Sequence, residues 1–349
     1  MTPGSARARA AKPAAPVDST PRAPIGAIVP DWSFAFARHT ALGEGAYQRC
    51  GARYFCLSTQ RAGGASEGAF WSLNLSASQR DDPGRVRRNR ETLESMLPWP
   101  SVYMRLEHGC TLLDADRLLH AEASFRAGPI LNAGPPRKAA APPGEAAPSN
   151  AKPPCKPCSR PHREMPAGVE VPLADAAVLT QPGLSLVMLT ADCLPVVIGD
   201  DAGRGLAIAH AGWRGLAAGV IETAVLALRE RLGDAQLMAW IGPGIGPAAF
   251  EVQSDVIAHF PVQERSAAYF RARDPSRFPG KWMGDLPALA RKRCMDLGIA
   301  RVGGGLWCTW HDTERFFSYR RQAMSGRFAT VIALRGRYET LAECAPPIA

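Results

Sequence analysis

The amino-acid sequence predicts a layered fold of mixed strands and helices, α/β or α+β. Two observations carry that expectation. Short apolar runs bounded by turn residues alternate with apolar stripes of helical spacing. Elements of both kinds bury one apolar face each, which stacked layers satisfy. The 349 residues suffice for a well-buried core, and no internal repeat points to a solenoid.

Taken in order, residues 53–58 read as a strand. Residues 83–97 read as a helix with Asp82 as its N-cap. Residues 184–190 and 194–199 are apolar, strand-like runs separated by the tight turn Ala191-Asp192-Cys193, and 205–210 is a third strand. Residues 213–232 place apolar side chains at 216, 217, 220, 221, 224, 225, 228 and 232, the spacing of one helical stripe, with Gly233 as its stop. A strand at 238–241, a helix at 281–297 and a last strand at 329–334 complete the series.

Residues 1–27 and 126–168 are dominated by Ala, Pro, Gly and basic side chains. Such segments bury too little apolar area to offset the entropy of ordering. They are expected as a disordered tail and a disordered insertion within one folded domain spanning 28–340, with 341–349 as a C-terminal tail. The net charge of +9 is concentrated there: residues 1–24 carry a net +3 and residues 126–164 a net +5. The remainder is close to neutral, which argues against a nucleic-acid partner. No run of eighteen uncharged apolar residues argues for a membrane span, and no signal-peptide profile opens the chain. Nine cysteines, an odd number in mostly apolar surroundings, fit reduced thiols in the cytoplasm rather than a disulfide framework.

Chemistry gathers around Cys193 and His210. Cys193 lies at a strand–turn–strand junction, and His210 ends the next strand, so the two are expected as neighbours. A thiolate and an imidazole suit zinc or copper, and His108 in LEHGCTLL is the best third ligand. Three protein ligands leave one coordination position open, as in catalytic zinc. The same residue types also suit a cysteine nucleophile with a histidine base, and sequence alone does not separate the two. Gly212-Trp213-Arg214-Gly215 opens a helix, where free N–H groups and Arg214 could hold an anion or simply make a turn. Phe316-Phe317-Ser318-Tyr319-Arg320-Arg321 could stack a base and bind an anion, or form a strand with a basic end. Asn74 reads by default as a buried structural hydrogen-bonding group. Cys155, Cys158 and His162 have metal-like spacing but lie in the Pro-rich insertion, with no framework around them.

At these residues the chain resembles the YfiH-type family, whose members are described as laccase-domain polyphenol oxidases, peptidoglycan-editing factors and purine nucleoside phosphorylases. The matching stretches are TADCLPVVIGD, AIAHAGWRGLAAGVIE, WIGPGIGPAAFEV and CTWHDTERFFSYRR, with weaker matches in STQRAGG and FWSLNLSASQRDDPGRVRRNR. The resemblance implies an α+β fold in four layers, α-β-β-α, with mixed sheets, and zinc (or copper) on His108, Cys193 and His210. It implies phosphorolysis of adenosine, inosine and methylthioadenosine, with adenosine deamination as a side activity. Cys193, Arg214 and Arg61 are then the expected catalytic residues, and Asn74, Arg214, Tyr319 and Arg320 the expected substrate-binding ones. A nucleoside and phosphate are the implied partners of a monomer or homodimer. A copper-dependent polyphenol oxidase and a cysteine hydrolase acting on peptidoglycan precursors are the rival activities. Seven histidines are few for multicopper chemistry. The family usually places Gln two residues before the first ligand histidine, where this chain has Leu106, beside Glu107.

Overall fold

The computed structural model describes residues 27–28, 54–119 and 172–335. The low-complexity segments, the Cys155/Cys158/His162 motif and residues 341–349 lie outside these residues, apart from Ala27, which opens the first strand.

Fourteen strands form three sheets among the described residues. The first sheet has five: β1 (Ala27–Ile28), β2 (Tyr54–Thr59), β3 (Ser101–Tyr103), β6 (Ser185–Thr190) and β14 (Phe328–Leu334), ordered β1-β2-β14-β6-β3. The second has six: β4 (Leu112–Asp114), β5 (Ala176–Leu179), β7 (Leu194–Asp200), β8 (Leu206–Ala211), β9 (Leu237–Ile241) and β13 (Arg301–Gly304), ordered β13-β9-β7-β8-β5-β4. Parallel pairs β3–β6, β4–β5 and β9–β13 make both sheets mixed. A small antiparallel sheet joins β10 (Glu251–Val252), β12 (Trp282–Gly284) and β11 (Phe270–Ala272).

Side-chain alternation stacks the large sheets. On β6, Val187 faces one apolar cluster with Leu57, Val331 and Leu93 of helix α1 (Pro83–Glu94). Its neighbours Leu186 and Met188 face the opposite cluster, with Val197, Ile208 and Trp240 of the second sheet. The far face of that sheet, with Val196, Ile198 and Ala209, packs on helices α2 (Trp213–Ala218), α3 (Val220–Leu232) and α4 (Leu286–Asp296). Helix, sheet, sheet and helices thus form four layers around three apolar clusters. Among the described residues, no helix is long and apolar enough to cross a membrane.

Several sequence expectations need correction. The stripe expected as one helix over 213–232 is two helices, α2 and α3, broken at Gly219. That residue has φ of 88°, a left-handed conformation in which an L side chain is strained. The break leaves the stripe in place because both halves press on the same apolar cluster. The segment expected as a helix from 281 starts with strand β12, and α4 begins only at Leu286, after Asp285 caps Ala288 N–H at 2.8 Å. Helix α1 ends at Glu94, short of the expected 97; Pro98 disfavours the helical conformation for the residue before it. Asp82 caps α1 as expected, accepting from Arg85 N–H at 2.8 Å. Residues 316–318 are irregular and 319–321 form a turn, with no strand. The strands on either side of Cys193, β6 and β7, belong to different sheets, so the intervening turn crosses between layers.

Replacing Gly219 with Ala should cost about 1–2 kcal/mol, because a methyl there meets only ordinary contacts and the left-handed backbone carries the penalty. A urea midpoint equal to that of the parent protein would contradict the assigned break.

Candidate metal centre

Three elements deliver three donor side chains to one place. His210 is the fifth residue of β8, buried to 2 % exposure. Cys193 immediately precedes β7, and the β7–β8 register pairs Leu194 with Ala211 and Pro195 with His210, so the thiol arrives beside Gly212. A Cβ on Gly212 would lie 2.7 Å from the Cys193 sulfur; glycine alone leaves room for it. His108 comes from the loop between β3 and β4 and is exposed. The ligand atoms of His108, Cys193 and His210 all lie within 4.8 Å of one another. Tetrahedral coordination at zinc bond lengths needs about 3.5 Å between donors, which small rotamer adjustments reach. The two imidazoles meet edge to face, with centroids 4.7 Å apart.

Asp175, a residue the sequence reading missed, holds this arrangement. One carboxylate oxygen lies 3.0 Å from His210 Nδ1 and accepts the His108 N–H at 2.8 Å, and the other accepts the Gly109 N–H at 2.8 Å. The Glu107 N–H donates to the first oxygen at 3.2 Å, and the Asp175 carbonyl accepts the His210 N–H at 2.7 Å. With Nδ1 engaged by Asp175, His210 turns Nε2 toward the thiol, the usual way a carboxylate orients a ligand histidine. Its only sequence signal was an acidic residue inside the apolar run LADAAVL, which continues as β5.

Two non-glycine residues have left-handed φ among the described residues, His108 at 64° and Asp192 at 94°. One is a candidate ligand and the other adjoins Cys193. Such strain persists only where surrounding contacts over-determine it. Asp175 supplies those contacts to His108. Asp192 is held by Thr309 Oγ1 and by the Arg320 N–H, each donating to its carboxylate at 2.6 Å, and its carbonyl accepts the Ile245 N–H at 2.8 Å.

The electrostatics supply a thiolate. Burial pushes the Cys193 thiol up, but the adjacent imidazoles of His210 and His108 outweigh it and bring the pKa down to about 6. Burial pulls His210 down, yet the Cys193 charge and the Asp175 hydrogen bond raise it to about 9. Burial also pushes Asp175 up, and the His210 and Gly109 hydrogen bonds hold it below its ordinary value. Without a metal the centre is therefore a thiolate–imidazolium pair anchored on a carboxylate.

The other expected site residues divide. Arg214 is exposed at the start of α2, its guanidinium 4.3 Å from the Trp213 ring. Asp192 brings Tyr319 and Arg320 to the edge of the centre; Tyr319 is exposed, and Arg320 also donates to the Glu251 carbonyl at 2.8 Å. Arg61 donates to the carbonyls of Trp71 and Thr313 and lies against Phe317, contacts that join two loops rather than reach the donor triplet. Asn74 is fully buried, its amide shared among Asp81, the Ser76 backbone and the Arg327 N–H. Leu106, standing where the family has Gln, packs against the cluster between the sheets, and Glu107 is exposed.

Comparison with known proteins shows the family to which the chain belongs. Residues 55–335 match a family model described as multi-copper polyphenol oxidoreductase laccase. A Pseudomonas aeruginosa protein named purine nucleoside phosphorylase is 37% identical over 289 residues, covering 81% of this chain and 95% of its own. Escherichia coli YfiH, also named purine nucleoside phosphorylase, is 34% identical over 283 residues, covering 80% and 93%. The crystal structure of Neisseria meningitidis NMB0706 superimposes with a TM-score of 0.62 at 33% identity, covering 82% of this chain and 96% of that one.

Two substitutions test the centre. Asp175→Asn should weaken zinc affinity about 10- to 100-fold in competition with a chromophoric chelator, with the fold retained by circular dichroism; unchanged affinity would remove Asp175 from the site. Gly212→Ala should displace the sulfur and abolish the thiolate-to-metal absorption band of the cobalt-substituted protein. Retention of that band would contradict the tight approach of Cys193.

Proposed function

Because this chain belongs to the YfiH-type, laccase-domain family, we propose that it is a zinc-dependent purine nucleoside phosphorylase. The observation that carries the reading is the convergence of one thiol and two imidazoles, one imidazole buried on a carboxylate and the other exposed. The donor set fits zinc: a thiolate and two neutral imidazoles are borderline-soft ligands, and three of them leave room for a fourth. Zinc held by His108, Cys193 and His210 would supply a Lewis acid able to polarise an oxygen of phosphate or water.

Asp175 fixes the His210 ring and the His108 loop, so both donors keep their places through turnover. The exposed side of His108 is the open side, where substrate reaches the centre. In the reaction an oxygen of inorganic phosphate forms the bond to ribose C1′ as the bond from C1′ to the purine nitrogen breaks. The purine leaves with a proton, and a pentose 1-phosphate remains. Arg214, exposed at the start of α2, offers positive charge to the anionic reactant and product, and the Arg320 backbone is anchored on Asp192 beside the centre. The exposed Tyr319 ring offers a face on which a purine stacks. Adenosine, inosine and methylthioadenosine share the ribosyl–purine bond; attack of water at C6 of adenosine, with the exocyclic amine leaving as ammonia, would give deamination as a side activity.

A second reading has its own observation in favour. Cys193, His210 and Asp175 form a thiol–imidazole–carboxylate series, the arrangement of a cysteine hydrolase, which would act on amide bonds such as those of peptidoglycan precursors. Copper-dependent phenol oxidation finds less support, since the described residues bring together one cluster of this kind.

Metal-analysed protein incubated with adenosine and phosphate should release adenine and ribose 1-phosphate, with one zinc per chain. His108→Ala and Cys193→Ala should lose both zinc and turnover. Product formation surviving in both variants would take the centre out of the mechanism, and turnover that needs no phosphate would favour the hydrolase.

A further inference from the structure

Arg327 differs from Arg61 and Arg321, which backbone carbonyls hold on both sides, and from Arg320, which is exposed. Arg61 and Arg321 give both sides of their guanidinium groups to backbone carbonyls: Trp71 and Thr313 for Arg61; Thr309, Trp310 and Phe316 for Arg321. Arg327 is half-buried, and its guanidinium hydrogen bonds among the described residues come from Nη1 alone, to the carbonyls of Ser325 and Gly326 at 2.8 and 3.0 Å. Nε and Nη2 have no partner among those residues, and no carboxylate there forms an ion pair with it. A half-buried guanidinium with one free N–H edge can take a bidentate contact from an oxyanion.

Its position says which anion. Arg327 immediately precedes β14, whose first residue, Phe328, pairs with Thr190 at the end of β6. Continuing that antiparallel register sets Arg327 across from Ala191, beside the turn that delivers Cys193. The backbone is pinned there: Arg327 N–H donates to Asn74 Oδ1 at 2.9 Å, and its carbonyl accepts the Leu75 N–H at 3.1 Å. The centroid of the Tyr319 ring lies 5.7 Å from the guanidinium carbon, and the next residue, Arg320, donates its N–H to Asp192. Asp192, the nearest acid of the turn, is already occupied by Thr309 and Arg320. Burial lowers the Arg327 pKa while Asp192 and Cys193 raise it, in keeping with a guanidinium within electrostatic reach of the centre.

Resting on the phosphorylase reading, we propose that Arg327 binds the phosphate co-substrate through Nε and Nη2, between the Tyr319 ring and the Asp192–Cys193 turn. The buried Asn74, which the family resemblance implied as substrate-binding, then acts one step back, as the residue that positions Arg327.

The test uses the zinc-loaded full chain and inorganic phosphate. Wild-type protein should gain thermal stability with added phosphate, and Arg327→Gln should lose that gain. In turnover, Arg327→Gln should raise the KM for phosphate about 10- to 100-fold, with the KM for adenosine within about twofold of wild type. Arg327→Lys should recover part of the phosphate dependence, and zinc content should stay at the wild-type level in both. An unchanged phosphate KM in Arg327→Gln would overturn the assignment. A measurement without a variant covers the case in which Arg327→Gln fails to fold: wild-type crystals soaked in phosphate should show the anion on Arg327, and an anion seated elsewhere would overturn it. Phosphate bound through Arg327 in a protein that forms no ribose 1-phosphate would sink the phosphorylase reading and leave the subsite. Phosphorolysis with no role for Arg327 would do the reverse.

Discussion

The carboxylate of Asp175 is the constraint from which the rest of the centre follows. It gathers backbone N–H groups of Glu107, His108 and Gly109 and the Nδ1 of His210, from two segments about a hundred residues apart in sequence. An ionised acid that accepts several hydrogen bonds is stable in a fully buried position, where an unpaired one would be costly. Charge-assisted bonds of this kind offset the left-handed backbone of His108. The spacing of the two imidazoles is thus set by a residue that need not touch a metal.

The second constraint is topological. The chain crosses from the five-stranded to the six-stranded sheet at Ala191-Asp192-Cys193, and this crossing places a thiol at the seam between layers. Strand β14 runs beside β6 and ends the loop that carries Tyr319, Arg320 and Arg327, so the aromatic and cationic groups reach the same seam from the C-terminal side. Asp192 ties the two together through Thr309 and the Arg320 backbone. The candidate metal donors and the cationic side chains of distant stretches therefore approach one seam.

Much of the fold was legible in the sequence where apolar runs are long. The stretch from Leu186 to Ala211 buries nearly every side chain it contributes to β6, β7 and β8, and its boundaries fell within a residue or so of those expected. The short strands β3, β4, β10, β11 and β13 had no pattern of their own; their neighbours in the sheets define them. Gly219 escaped notice because the helical stripe continues through it unbroken. Asp285 and Pro287, an N-cap followed by a proline in the first turn, were a legible start signal that the longer helix expected from residue 281 ran over. At the site, His108, Cys193 and His210 were visible as residue types suited to metal, and they do converge. Asp175, Asp192, Gly212 and Arg327 were not, since their roles arise from sheet register and loop crossings. Asn74 was read by default as a structural group, and that is how its amide is used here.

The props under His108 and Cys193 include no metal donor: they are amide hydrogens, a carboxylate and the absence of a methyl group. Emptying the socket removes none of them. In a zinc finger, loss of the ion is loss of the fold, so a folded sample certifies its own cargo. In this protein the supports of the cluster do not depend on an ion, so a preparation stripped by a chelating resin should keep its secondary structure and its elution volume.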